Sequence, residues 1–220
     1  MPLKAVLFDM DGVIVDTEPL HRKAFYKTFE DLNIIVSDEY YATFTGASTK
    51  KVTNSLKEKY KLDISAEDIT NIKRRYFKHF FDTDPNFNLH IGVRELIETY
   101  YRNNIKLVLA SSASMNTINW VFDKFNIGKY FMGKISGADL EESKPNPEIF
   151  IKAAEIAGEA PKNCMVIEDS TNGILAANRA GIFCAAYKNE HSLMQNYQLA
   201  NILVDDFSEL EPEKISIFFK

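Results

Sequence analysis

The first apolar run of the chain, Val6-Leu7-Phe8, ends at once in Asp9-Met10-Asp11-Gly12-Val13, two carboxylates spaced i, i+2 with a glycine behind them. Two later apolar runs end in polar groups of matching kind: Leu107 to Ala110 leads into Ser111-Ser112, and Met165 to Ile167 into Glu168-Asp169-Ser170. Between them, Ser143-Lys144-Pro145-Asn146-Pro147 precedes a helical stretch. Each group alone is ordinary. Asp and Gly punctuate turns, a Ser after a strand is usually an N-cap, and a loop Lys is usually solvated. Together they form a set with one chemistry. Clustered carboxylates repel, and one takes up a proton unless a cation is present. Asp9, Glu168 and Asp169 are hard oxygen ligands suited to Mg2+, which keeps some of its water and also binds a phosphate oxygen. Lys144 adds a second positive charge, and Ser111, with Ser112 beside it, adds hydroxyl donors. A cation clamp, a donor set and a carboxylate nucleophile make a phosphoryl-transfer site. Two acids are needed because their roles differ. The nucleophile must be ionised, whereas a separate carboxyl must protonate the leaving oxygen and later take a proton from the acceptor. Asp9, which ends the strand, fits the nucleophile, and Asp11 fits the acid/base.

These groups need elements that bring strand ends together. Lys4 to Phe8 reads as a buried central strand, because buried parallel strands are continuous apolar runs. Glu18-Pro19 marks a helix start. From there to Phe81 the texture is helical, over His21 to Leu32, Thr49 to Tyr60 and Ala66 to Phe81. Gly46-Ala47-Ser48-Thr49 interrupts it, with Ser48 or Thr49 as N-cap candidate. Asp82 to Asn86 is linker chemistry. Helix and strand then alternate: helix Gly92 to Arg102, strand Ile105 to Ala110, helix Ser114 to Phe125, strand Gly133 to Gly137 and helix Asn146 to Ala157. Strand Asn163 to Ile167, helix Asn172 to Ala180, strand Ile182 to Tyr187, helix Ser192 to Leu199 and strand Asn201 to Val204 follow. The reading is α/β: a Rossmann-like, parallel, doubly wound sheet with an all-helical cap inserted after the first strand. Residues 1–15 and 85–220 form the core and residues 16–84 the cap, with hinges near Val15-Asp16 and Thr83 to His90. In open α/β sheets the ligand sits outside the carboxyl ends of the strands.

The 220 residues, with 26 basic and 31 acidic side chains and a net charge of -5, leave room for one domain plus an insertion and give no basic excess for nucleic acid. The one basic cluster, Lys73-Arg74-Arg75, lies in a helical pattern and reads as a solvated face. Cys164 and Cys184 sit in apolar strands without a neighbouring Cys or His at ligand spacing, as buried thiols of a reducing compartment do. Without a leader-like segment or an apolar run of membrane length, the expectation is a soluble, cytoplasmic protein with no membrane or obligatory protein partner.

The four motifs resemble the haloacid dehalogenase superfamily, in its β-phosphoglucomutase-like branch. The match is carried by Phe8-Asp9-Met10-Asp11-Gly12-Val13 with Asp16-Thr17-Glu18, by Ala110-Ser111-Ser112, by Ser143-Lys144-Pro145-Asn146-Pro147-Glu148-Ile149-Phe150, and by Ile167-Glu168-Asp169-Ser170-Thr171-Asn172-Gly173-Ile174. The resemblance implies an aspartyl-phosphate mechanism. Asp9 would be nucleophile and metal ligand, Asp11 the acid/base with its backbone carbonyl on Mg2+, Ser111 and Lys144 the phosphoryl binders, and Glu168 and Asp169 the rest of the metal site. The second Asp separates phosphoryl transferases from the dehalogenases, which lack it. His21 matches a cap histidine of β-phosphoglucomutase and is a candidate substrate contact; the plain alternative is a partly exposed residue on the first cap helix. The mutase also carries a Lys just before its cap-loop Gly and an Arg three residues after it. Here Thr45-Gly46-Ala47-Ser48-Thr49 lacks both, and the mutase's Lys-Asn after the second motif is missing from Ala113-Ser114-Met115-Asn116. The expected function is therefore a Mg2+-dependent phosphatase of a small phosphorylated metabolite, such as a hexose phosphate. The alternatives are a sugar phosphomutase and, with less support, a non-catalytic phosphate sensor. Phe25, Phe29, Tyr40 and Tyr41 would line the substrate pocket or form the cap core.

Overall fold

Ala5-Val6-Leu7-Phe8 form strand β1 (Ala5–Phe8), and all four residues are fully buried. Such a strand needs partners on both edges and helices on both faces, which it has. The computed structural model describes residues 2–44, 49–189 and 195–219. In it, six parallel strands form one sheet in the order β3-β2-β1-β4-β5-β6. The others are β2 (Lys106–Ser111), β3 (Gly133–Ser136), β4 (Cys164–Glu168), β5 (Phe183–Tyr187) and β6 (Ile202–Val204). Phe8 pairs with Leu109 of β2 on one side and with Ile167 of β4 on the other. The next residue of each strand is therefore Asp9, Ala110 and Glu168, side by side at the carboxyl rim.

The helices of the core are α5 (Val93–Arg102), α6 (Met115–Phe125), α7 (Glu148–Ala157), α8 (Thr171–Arg179) and a short α9 (Pro212–Ile215). Ala5 and Leu7 face a core built with Ile149, Phe150 and Ala153 of α7 and Ile174 and Ala177 of α8. On the opposite face, Phe8 packs edge-on against Tyr100 of α5 and against Phe131, at centroid distances of 6.3 and 5.8 Å. Helices on both faces make the sheet doubly wound. Ser114 caps α6 by accepting from Thr117 N–H, and Gly158 closes α7 in the left-handed conformation at φ 65°.

The chain divides into two compact units, Met1–Asp16 with Asn88–Lys220, and Thr17–Phe87. The second is helical: α1 (Glu18–Asp31), α2 (Asp38–Ala42), α3 (Thr49–Tyr60) and α4 (Ala66–Thr83). Phe25, Phe29, Tyr41, Phe44, Val52 and Leu56 form its core, with Tyr40 partly buried against it. The four aromatics named from the sequence thus have the packing role. Where the chain leaves and re-enters the first unit, Val15 bridges Leu89 and the His90 N–H donates to Ile14 O (3.0 Å).

Three readings of the sequence change. Helix α2 was not anticipated; it is short, and its start is marked by Ser37, whose side chain accepts from Tyr40 N–H. The helix expected over Ser192 to Leu199 is not formed at residues 195–199, and its first part lies outside the described residues. There Asn196 Oδ1 accepts from Gln198 N–H (3.0 Å), a local bond that competes with helix formation. The Gly46 loop with the Ser48 cap likewise lies outside the described residues, and Thr49 is the first residue of α3. Finally, Lys73 is not solvated: it is 2% exposed, while Arg74 and Arg75 are exposed as expected. Both cysteines are buried and free. Burial pushes the Cys164 thiol up to about 11 and the Cys184 thiol higher, so both behave as packing groups.

Candidate active site

β1 lies between β2 and β4, where the order of the sheet reverses, so the crevice outside its carboxyl end is the expected ligand site. Asp9 N–H donates to Ile167 O (3.0 Å), which ties the first residue after β1 to the end of β4. Lys144 enters from the loop before α7. Its ammonium donates to Asp9 Oδ1, to Glu168 Oε1 (2.9 Å) and to Ala110 O (3.0 Å), joining the ends of three neighbouring strands. The side chains are 5% exposed for Lys144, 8% for Asp9 and 1% for Glu168. Buried charges at this level are paired or they neutralise. The Phe150 ring, 4.9 Å from Nζ at its centroid, closes off another side of the ammonium.

Glu168 is fixed further by Ser170, whose N–H and hydroxyl both donate to Oε2 (2.7 and 2.9 Å). Ser170 in turn caps α8 by accepting from Gly173 N–H (3.1 Å). A Cβ at Gly173 would lie 1.7 Å from Glu168 Oε1, so the carboxylate occupies the space that this glycine leaves. Gly12 does the same for Asp169. Its φ is +90°, and a Cβ there would lie 2.2 Å from Asp169 Oδ2. Asp169 therefore rests on the turn that carries Asp11, which is half-buried. The Ser111 hydroxyl is buried and accepts from Ala113 N–H (3.1 Å), which leaves its proton to donate. Ser112 is exposed, with its Oγ 3.5 Å from Ser143 Oγ.

Burial raises the Asp9 pKa well above the usual carboxylate range; Lys144 opposes this, and Glu168 and Asp169 add to it. Burial works against the Lys144 charge, but Asp9 and Glu168 outweigh it and raise its pKa. Asp9 and Glu168 thus share one internal cation, with the Asp169 charge acting on Asp9 beside them. Among the described residues no three acidic, His or Cys side chains are already gathered into a metal shell, since Asp9 and Glu168 turn on Lys144. The donor chemistry fits a hard divalent cation all the same. Asp9, Asp169 and the Asp11 turn offer oxygen, the local charge is negative, and Glu168 keeps acceptor capacity on Oε1 after its three bonds.

His21 lies in the helical unit. Its ring stacks on Phe77 (4.4 Å, 19°), and its Nδ1 is in contact with Lys73 Nζ. Burial, aided by the Lys73 charge, lowers its pKa to about 3, so the ring is neutral and accepts from Lys73. The Lys73 ammonium also lies 5.0 Å from the ring centroids of Phe25 and Phe77. The sequence carried a signal for this residue: Ile69, Lys73, Phe77 and Phe81 recur every four residues on one buried helix face.

A family model for haloacid dehalogenase-like hydrolases matches residues 6–187. The chain belongs to this family. This haloacid dehalogenase-like hydrolase is 30% identical over 184 residues to the phosphorylated carbohydrates phosphatase of Thermotoga maritima, covering 82% of each chain. Among solved structures it is similar to CbbY from Rhodobacter sphaeroides in complex with phosphate, with a TM-score of 0.82 at 27% identity over 94% of this chain and 96% of that one. It is also similar to the β-phosphoglucomutase of Clostridium difficile, with a TM-score of 0.79 at 28% identity over 100% and 97% of the two chains. The hydrolase is thus an enzyme on a family fold, and among its described residues no helix is long and apolar enough to cross a membrane.

Proposed function

We propose that this enzyme is a Mg2+-dependent phosphatase of small phosphomonoesters, sugar phosphates among them, working through an aspartyl phosphate on Asp9. The observation that carries the reading is the Lys144 ammonium, which joins Asp9 at the end of β1 to Glu168 at the end of β4. That bond holds one Asp9 oxygen and leaves the other to attack phosphorus. As the Asp9–phosphorus bond forms, the ester oxygen leaves and takes a proton from Asp11. Water then attacks the acyl phosphate, Asp11 takes its proton, and inorganic phosphate departs with the Asp9 carboxylate restored. Ser111 donates its hydroxyl to a phosphoryl oxygen, and Lys144 offsets the charge that develops there. Asp9, Asp169, Glu168 and the Asp11 backbone carbonyl would hold the cation, which supplies charge neutralisation so that Asp9 stays ionised beside a phosphate dianion. The carbohydrate-phosphate phosphatase among its relatives supports the substrate class.

Asp9→Asn and EDTA are each expected to abolish phosphate release from p-nitrophenyl phosphate. Wild-type turnover in Asp9→Asn would disprove the nucleophile assignment. The likeness to a β-phosphoglucomutase favours a second reading, a sugar phosphomutase. With β-glucose 1-phosphate and a bisphosphate activator, glucose 6-phosphate accumulating faster than inorganic phosphate would decide for the mutase.

A further inference from the structure

The two acidic turns of the core are each held from behind by an amide side chain of the β5–β6 connection. Asn189, 6% exposed, donates from Nδ2 to Gly12 O (3.2 Å). Gly12 is then gripped at three points: its N–H donates to Val15 O (2.7 Å), the Asp169 carboxylate covers its Cα, and Asn189 holds its carbonyl. Gln195 does the matching work at the other turn. Its Oε1 accepts from Thr171 N–H (2.7 Å) and from the Thr171 hydroxyl (2.8 Å), and Asn196 N–H closes the set on Thr171 Oγ1 (2.8 Å). Thr171 opens α8 two residues after Asp169.

Both groups are neutral amides: Asn189 donates to the Gly12 turn and Gln195 accepts from Thr171. That suits their place. A carboxylate there would add a further acid to Asp9, Asp11, Glu168 and Asp169, and an ammonium would compete with Lys144 for them.

We propose that Asn189 and Gln195 are positioning residues for phosphoryl transfer, holding the Asp11–Gly12 turn and the Asp169–Thr171 turn at a fixed spacing. The inference rests on the reading of the site as a Mg2+-dependent phosphatase. Groups that orient metal-binding carboxylates from outside typically carry a 10–100-fold effect on metal affinity or activity, about that of the ligands' own supports.

The test is Asn189→Leu, close in shape, and Gln195→Leu, which is shorter; both lack the amide. Mg2+ affinity is measured by calorimetry on the enzyme without substrate, beside kcat and KM for p-nitrophenyl phosphate and the unfolding midpoint. Both variants are expected to bind Mg2+ about tenfold or more weakly and to lose kcat by a similar factor, with KM within about twofold. Mg2+ affinity and kcat within twofold of wild type would overturn the proposal, as would a rise in KM at unchanged kcat. Gln195 is half-buried, so Gln195→Leu decides alone if the Asn189 variant does not fold. A wild-type enzyme that neither binds Mg2+ nor hydrolyses the ester would refute the phosphatase reading instead. Amide exchange at Gly12 and Gly173 then decides the positioning: faster in both variants supports it, and unchanged rates overturn it.

Discussion

Gly173→Ala pits two effects against each other. Gly173 lies inside α8, and an alanine there would ordinarily stabilise a helix by about 1 kcal/mol. Here the new Cβ would lie 1.7 Å from Glu168 Oε1, where real contacts do not fall below 3.0 Å. The carboxylate must therefore move by more than an ångström. It is buried and held by Lys144 at Oε1 and by the Ser170 N–H and hydroxyl at Oε2. Losing two of these bonds to a charged group costs about 3–6 kcal/mol. The contact outweighs the propensity, and the net expectation is a destabilisation of about 2–5 kcal/mol. For a chain of this size that lowers the unfolding midpoint by roughly 2–4 °C per kcal/mol, and kcat should fall because Lys144 loses one of its anchors. Urea denaturation and phosphate release are measured on Gly173→Ala, with Asn172→Ala, exposed on the same helix, as the control expected within about 0.5 kcal/mol of wild type. In a Glu168→Ala background the clash is gone, so Gly173→Ala should there regain its ordinary helix benefit. A Gly173→Ala enzyme as stable as wild type would refute the placement of Glu168 and the argument built on it.

Gly12→Ala should be worse for activity than for stability. It strains a residue at φ +90° and drives a Cβ into the Asp169 carboxylate, and a KM-against-kcat comparison should show the loss in kcat. Lys144→Met leaves Asp9 and Glu168 buried together, a loss of about 3–5 kcal/mol by denaturation at neutral pH. Because the Asp9 pKa is raised in the folded state, protonating Asp9 relieves that variant, so its stability should fall as pH rises through the folded pKa. His21 acts in the opposite sense. Folded His21 stays neutral down to about pH 3, whereas the unfolded chain binds a proton below about 6.5. Stability should therefore drop as pH falls through this window, by about 1.4 kcal/mol per unit, and His21→Gln should flatten the slope in pH-dependent denaturation.

The alternation of the core was legible because buried parallel strands are apolar throughout, so β1, β2, β4 and β5 stand out without reference to their partners. The residues around Lys144 were legible for a related reason: each follows directly on such a strand or caps the helix after it. Asn189 and Gln195 were not, since they sit in a connection without periodicity and act through single amide bonds that composition does not mark. Lys73 was misplaced because it was read with its charged sequence neighbours rather than with Ile69 and Phe77 one turn away on either side. The Ser192 to Leu199 segment reads as helical, but at residues 195–199 it is not, because the Asn196 side chain bonds to the local backbone and Gln195 turns to Thr171 instead.

The position of β1 has a consequence for the order in which the molecule is made. It is the first strand of the sheet to leave the ribosome and the one that ends in the middle of the sheet, with Ala5 paired to Lys106 on one edge and to Cys164 on the other. At about 5–20 residues per second, roughly 5–20 s pass before its first edge partner has even been synthesised. The helical unit of residues Thr17–Phe87 is contiguous and has an aromatic core of its own, and all of it is made before β2. The nascent chain therefore carries an unpaired, wholly apolar strand while the whole helical unit is being made. Asp9 meets Lys144 and Glu168 only after β4 emerges, so this buried charge cluster is assembled late, around the strand of the sheet that is made first.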